Sequence, residues 1–300
     1  MINNYNFEQK FKLANISSMI LVLLSILMIL FKGLNFGIDF KGGTLMELRC
    51  DSTNIQISDV RSSFNQLDLG DINVKEFGKK GDFLIKFERK SFDDKISIKT
   101  IKEKVSNELQ GNVDFRRVEN VGPKVSKELL ESGFLAISLA LAAMLFYIWV
   151  RFEWQFSIGS IIAIFHDVLI TIGLFSLLSL EINLSIVAAV LTIVGYSMND
   201  TVVIYDRIRE NLKKYSSLKI GEISNKSINE TLSRTIITSS TTLLALISIF
   251  ILGGEILKGF SLAMIIGVII GTYSSIFVAS PILKYFNVSF KTISKEKENN

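Results

Sequence analysis

The chain has 300 residues, 49% of them hydrophobic, with 22 Phe, 2 Pro, 1 Cys and 1 His. Its charged residues sit in a few blocks separated by long uncharged tracts, a distribution that excludes a wholly soluble enzyme, a disordered chain and a disulfide scaffold. The lone Cys50 has no intrachain partner, and a formal charge of +4 is too mild for a nucleic-acid binder.

Six tracts approach the roughly 20 apolar residues that cross a hydrocarbon core of about 30 Å. They are Leu13–Phe31, Gly133–Val150, Phe156–Leu180, Ile182–Ile204, Thr235–Leu252 and Phe260–Leu283. The first is too long for a signal-peptide core and is followed by no small-x-small cleavage site, so it is expected to stay as an anchor. Lys10, Lys12, Arg151, Arg207, Arg209, Lys213, Lys214, Lys219, Lys226, Lys284 and Lys291 flank the spans in an alternating pattern. All of them fall on one face if both termini are cytoplasmic, which the positive-inside rule favours. Residues 1–12 then form a cytoplasmic N-terminus, 205–234 a cytoplasmic loop leading into span five, and 284–300 a cytoplasmic tail.

The segment Lys32–Ser132 is therefore expected outside the cytoplasm. Within it Gly43–Cys50 reads as a strand, and Ser58–Leu67 as a helix with Val60, Phe64 and Leu67 on one face. Ile72–Phe77 and Phe83–Phe87 read as a hairpin around Gly78–Gly81. Ser97–Gln110 reads as a helix carrying Ile98, Ile101, Val105 and Leu109, and Val113–Val118 as a closing strand. The order βαββαβ predicts a ferredoxin-like α+β domain between spans one and two of an α-helical polytopic protein. That fold names a module and leaves its activity open.

Ionisable side chains at bilayer depth cost several kcal/mol, so each requires a reason. The spans contain His166 and Asp167 in span three, Asp200 in span four, and Arg234 at the start of span five. Asp200 lies 18 residues from the outer end of its span, which at 1.5 Å per residue puts it in the inner third. Arg234 enters from the same side, and pairing with Asp200 would offset part of the cost of burying both. Thr231, Arg234, Thr238, Thr241 and Thr242 recur at helical spacing, as do Tyr196, Asp200, Val203 and Arg207 with Asn199 beside them. Two such stripes at one depth would make a hydrated seam, where burial and a neighbouring guanidinium pull a carboxyl's protonation in opposite senses.

A bland reading fits much of the same pattern. An Asp–Arg pair can simply pin helix register, and Thr often bonds only its own helix. His166 with Asp167 serves either as a secondary proton relay or as a helix–helix hydrogen bond. Asp206, Arg207 and Arg209 suit a cytoplasmic interface, and Gly267, Gly271 and Ser275 a close-packing face. The Gly-x-Gly-Asp partner of an intramembrane aspartyl protease is absent from the sequence, as are the Gly-x-Ser-Gly of a serine one, a phosphate loop, a dinucleotide fingerprint and a Cys/His metal cluster. Neither an enzyme nor a cofactor or metal is expected.

Several strings carry a specific likeness. Gly37-Ile-Asp-Phe-Lys-Gly-Gly-Thr44 follows span one, Val121-Gly-Pro123 precedes span two, and His166-Asp-Val168 lies in span three. Gly195-Tyr-Ser-Met-Asn-Asp-Thr-Val-Val-Ile-Tyr-Asp-Arg-Ile-Arg-Glu-Asn211 ends span four, and Ser227-Ile-Asn-Glu-Thr-Leu-Ser-Arg-Thr235 opens span five. Taken together they resemble the SecD/SecF family of bacterial protein-export subunits, and the loop of about 100 residues favours its SecF branch. The resemblance covers the chain from span one to span six.

It implies a SecD heterodimer in the RND superfamily, sited in the bacterial cytoplasmic (inner) membrane among its lipids. That heterodimer would associate with the SecYEG channel and YajC. It would use the proton-motive force to move unfolded preprotein after the SecA-driven steps. The family's proton-linked residues fall on Asp200 and Arg234, flanked by Asn199 and Thr201. Gly37, Asp39, Gly42, Gly43, Gly122 and Pro123 form its hinge motif. Lys41 stands where a small polar residue is commoner, and Ser126 where Gly is usual. The rival readings are a half-sized RND-like exporter of lipids or small molecules and an assembly factor that only stabilises SecD. A docking platform is an equal reading of the loop domain.

Overall fold

The computed structural model describes residues 5–51, 55–67, 69–70, 72–76, 78–87, 98–109 and 113–294. Expected element ends at Phe77, Ser97 and Gln110 lie outside the described residues. The chain divides into two compact units. One holds Phe36–Leu135 together with Ile182–Leu184, and the other holds the chain up to Asn35, Ala136–Glu181 and the chain from Ser185 onward.

The first unit begins with a one-turn helix, α2 (Ile38–Lys41), which follows α1 (Phe11–Lys32). Strand β1 (Gly43–Cys50) comes next, then α3 (Ile57–Asn65), β2 (Ile72–Glu76), β3 (Asp82–Phe87), α4 (Ile98–Glu108) and β4 (Val113–Val121). The four strands form one antiparallel sheet in the order β2-β3-β1-β4. Alternation sends Met46, Leu48 and Cys50 of β1 and Phe83, Ile85 and Phe87 of β3 to one face, where they pack with Val60 and Phe64 of α3 and Ile101 and Val105 of α4. At the end of the β1–β3 pairing, Arg49 holds Asp82 through two hydrogen bonds of 2.5 and 2.6 Å. That bidentate contact keeps the Asp82 carboxyl below the usual carboxylate range. Burial pushes the Cys50 thiol up. Strand β4 runs three residues past the expected Val118, because the start of β1 needs a partner: Gly43 pairs with Val121.

The second unit is helical. Its elements are α1, the later part of α5 (Pro123–Arg151), α6 (Trp154–Leu177), α7 (Leu184–Lys214), α8 (Ile220–Leu252) and α9 (Gly254–Ser274). A π-helical turn (Ser275–Ala279) joins α9 to α10 (Ser280–Tyr285), and α11 (Phe290–Ser294) follows. Among the described residues six helical stretches are long and apolar enough to cross a membrane. Three helices overrun their apolar tracts. α5 starts at Pro123 rather than Gly133, α7 continues past Ile204 to Lys214, and α8 starts at Ile220 rather than Thr235. Hydropathy marks the edge of the hydrocarbon, whereas helix formation continues wherever propensity and ion pairs such as Lys226–Glu230 support it.

The expected sixth span is present as a continuous helical stretch, Ile256–Tyr285, with a π turn inside it. Pro281 has no N–H to give the Phe277 carbonyl, so the α-helical pattern cannot run through it. Instead the Ser280 hydroxyl donates to the Ser275 carbonyl at 2.9 Å. Close approach at α9 uses missing side chains, since a Cβ at Gly267 would meet Ile193 at 2.3 Å and one at Gly271 would meet Ser197 at 3.0 Å.

Candidate functional site

Helices α6, α7 and α9 bring four polar side chains into the interior of the helical unit. Asp167 is fully buried and uses both carboxylate oxygens. Its Oδ1 lies 2.8 Å from His166 Nδ1, while its Oδ2 accepts hydrogen bonds from Ser197 Oγ at 2.5 Å and Ser274 Oγ at 2.7 Å. His166, Ser197 and Ser274 are themselves buried. Gly271 is what allows α7 this close to α9, one turn from Ser274. The imidazole stacks on Tyr273, whose hydroxyl donates to the Ala14 carbonyl of α1 and accepts from Ser18. His166 Nε2 is buried without a partner. One carboxylate on α6 thus ties that helix to α7 and α9 through a serine hydroxyl donor on each.

Asp200 lies three residues beyond Ser197 on α7 and is 3% exposed. Its Oδ2 is buried with no hydrogen-bond partner. The expected contact with Arg234 is not formed in this structure: no ion pair joins them among the described residues, and Arg234 is exposed.

The reason lies in the rotation of α8. Its buried polar face is Thr231, Thr235 and Ser239, at four-residue spacing. Ser239 accepts from Tyr196 Oη at 3.4 Å and meets Thr272 Oγ1 at 2.8 Å. Of the stripe expected inward, Thr231 lies on this face, whereas Arg234 and Thr241 are exposed and Thr238 and Thr242 are half-buried. Thr238, Thr241 and Thr242 return their hydroxyls to carbonyls of their own helix. Thr201 likewise donates to the Ser197 carbonyl, and Asn199 is exposed. Asp200 is therefore not joined by Asn199, Thr201 or Arg234 through any hydrogen bond.

The helix ends around Arg151 and Asp206, expected as an interfacial motif, carry ion pairs. Asp206 accepts from Arg151 at 2.8 Å, Arg209 from α7 pairs with the buried Glu153 at 3.0 Å, and Arg207 bonds both Glu210 and Glu230 at 2.6 Å. Asn211 adds hydrogen bonds to Ser227 and Glu230 on α8. Tyr205, fully buried, donates to the Ala279 carbonyl in the π turn at 3.0 Å, directly over Gly159.

In the α/β unit, Gly42 and Gly43 adopt φ of +83° and +136°, values that admit glycine and strain other residues. A Cβ on Gly43 would also lie 2.8 Å from the Phe87 carbonyl. Pro123 opens α5, and the Gly122 carbonyl receives the Ser126 amide and hydroxyl at 2.9 and 3.1 Å. The Ser126 side chain is thereby buried in a hydrogen-bonding role that Gly could not fill.

Ser274 and Glu153 had no place in the reading of the sequence, and Ser197 entered only within the Gly195–Asn211 string. The signal present was the small-residue spacing of Gly267, Gly271 and Ser275, which marks close approach but not which hydroxyl faces the seam.

Comparison with known proteins places these features in context. Residues 100–289 match the family model described as protein export membrane protein SecD/SecF, C-terminal, and residues 28–53 match the SecD/SecF GG motif. The chain is 46% identical over 284 residues to the protein translocase subunit SecF of Rickettsia bellii, covering 94% of this chain and 93% of that one. It is 45% identical over 265 residues to the SecF of Cereibacter sphaeroides, covering 85% and 81%. The crystal structure of SecDF from Thermus thermophilus superimposes with a TM-score of 0.84 at 35% identity, over 95% of this chain. A second SecDF structure, in a super-membrane-facing form, gives a TM-score of 0.70 over 99% of this chain. The chain spans about 39% and 40% of those two solved chains.

Proposed function

The chain belongs to the SecD/SecF family of protein-export membrane proteins as a multi-pass SecF subunit of the Sec pathway, and from that premise we propose that it couples the proton-motive force to preprotein movement through Asp200. The observation that carries this reading is the buried Oδ2 of Asp200, which has no hydrogen-bond partner. An orphaned carboxylate oxygen in an apolar interior is costly, and protonation removes most of that cost. A proton arriving from outside relieves the charge, ends the attraction to Arg234 and frees α7 to shift against α8. Loss of the proton inward restores the attraction. Each elementary charge that crosses 100 mV supplies about 2.3 kcal/mol.

The same proposal places the α/β unit outside the cytoplasm with both termini inside, since Arg151, Arg207, Arg209 and Lys284 gather at inner helix ends in the positive-inside sense. The βαββαβ order and strand order β2-β3-β1-β4 support a ferredoxin-like module. It would grip extended preprotein emerging from SecYEG, with SecD beside it and YajC as accessory. His166 and Asp167 serve this scheme as the anchor against which α7 moves.

The test is Asp200→Asn in vesicles containing SecD and the channel. Proton-stimulated preprotein export falls to the unstimulated rate while the amount of inserted protein is unchanged. Full stimulation in that variant would remove Asp200 from the mechanism.

A further inference from the structure

Three hydrogen bonds converge on the short segment between α1 and β1. The amide of Leu184, the first residue of α7, donates to Asp39 Oδ2 at 2.9 Å. The Gly37 amide donates to the Ile182 carbonyl at 2.8 Å. Ser126 Oγ, at the start of α5, donates to the Ile38 carbonyl at 3.4 Å. Gly37, Ile38, Gly42 and Gly43 are all buried, so the turn that presents Asp39 is held from both ends.

Ile182–Leu184 belong by contact to the same compact unit as Phe36–Leu135. Helix α7 therefore begins as part of the α/β unit and runs unbroken to Asp200, about 24 Å further along its axis at 1.5 Å per residue. The first amides of a helix have no intrahelical acceptor, and a carboxylate placed there satisfies one of them while favourably facing the helix dipole.

We propose that Asp39 is a positioning residue that fastens the first turn of α7 to the α/β unit, so that a shift of α7 at Asp200 is delivered axially to the export module and the reverse. Asp39 touches neither the proton nor the preprotein. The role makes the Gly37–Gly43 motif a handle gripping α7 rather than only a flexible hinge. It rests on the reading of Asp200 given above, and the experiment separates the two.

Full-length chain with SecD and the channel in vesicles is assayed for inserted amount, proton flux and proton-stimulated export. Asp39→Ala, which loses the acceptor, keeps wild-type insertion and proton flux but lowers stimulated export five-fold or more. Asp39→Asn keeps a side-chain oxygen for the Leu184 amide and stays within two-fold of wild type. Leu184→Pro removes the donor at a position where helices accept proline, and reproduces the Asp39→Ala result. It carries the test alone if Asp39→Ala does not accumulate.

Normal export in Asp39→Ala or Leu184→Pro overturns the proposal. So does an Asp39→Asn defect as deep as that of alanine, or equal loss of proton flux and export. If Asp200→Asn is fully active while Asp39→Ala fails, the proton reading falls and the fastening of α7 stands.

Discussion

Asp167 accepts two hydroxyls and faces one imidazole with no exposure to solvent, so its environment sets a quantitative expectation. Ser197→Ala or Ser274→Ala removes one of its two hydroxyl donors. Hydrogen bonds to charged groups contribute about 1.5–3 kcal/mol in water-soluble proteins, whereas interhelical ones in membranes average about 0.6 with a maximum near 1.7. The burial and short distances here favour the upper end of the membrane range, about 1–1.7 kcal/mol for each single change. The double variant leaves His166 as the only partner of a buried carboxylate, a state that costs about 3–5 kcal/mol when a buried charge loses its compensation. The double change is therefore expected to exceed the sum of the singles by about 1 kcal/mol or more.

Reversible unfolding in mixed detergent micelles of increasing denaturing fraction measures all four members of the cycle. Single changes under about 0.5 kcal/mol, combining additively within about 0.3–0.5 kcal/mol, would refute the view that Asp167 ties α6, α7 and α9 together.

Two other outcomes follow from contacts elsewhere. Gly159→Ala puts a Cβ 2.3 Å from Tyr205 Oη and should destabilise by about 1–3 kcal/mol. Adding Tyr205→Phe removes the clashing oxygen and should recover most of that loss in the same unfolding assay. In the α/β unit the Asp82 carboxyl has its folded pKa depressed, chiefly by the hydrogen bond from Arg49. Its stabilising contribution is present above the ordinary carboxylate pKa of about 4 and fades as pH falls through the lower folded value. Pepsin cleavage within residues 43–121 should accelerate across that window in the parent chain. In Asp82→Asn it should already be faster near pH 4 and change less below it.

The α/β module was legible because its signals are local. Gly43–Cys50 alternates as a half-buried strand must, and the core positions Val60, Phe64, Ile101 and Val105 were visible from spacing alone. The six apolar tracts were legible for the same reason, although their helices extend further, since hydropathy reports the bilayer and not the hydrogen-bonding limit. Asp200 could be singled out as a buried acid without knowing its neighbours.

What touches what was another matter. The rotation of α8 decides whether Arg234 meets Asp200, and tertiary packing kept Thr231 inward but placed Thr235 and Ser239 there rather than Arg234 and Thr238. Ser197 and Ser274 are 77 residues apart in sequence yet donate to one oxygen of Asp167. Asp39 caps a helix that starts 145 residues later. Periodicity along one helix gives a face but no azimuth relative to its neighbours. That azimuth is set by which small residues let two backbones approach, and only the packed helices determine it.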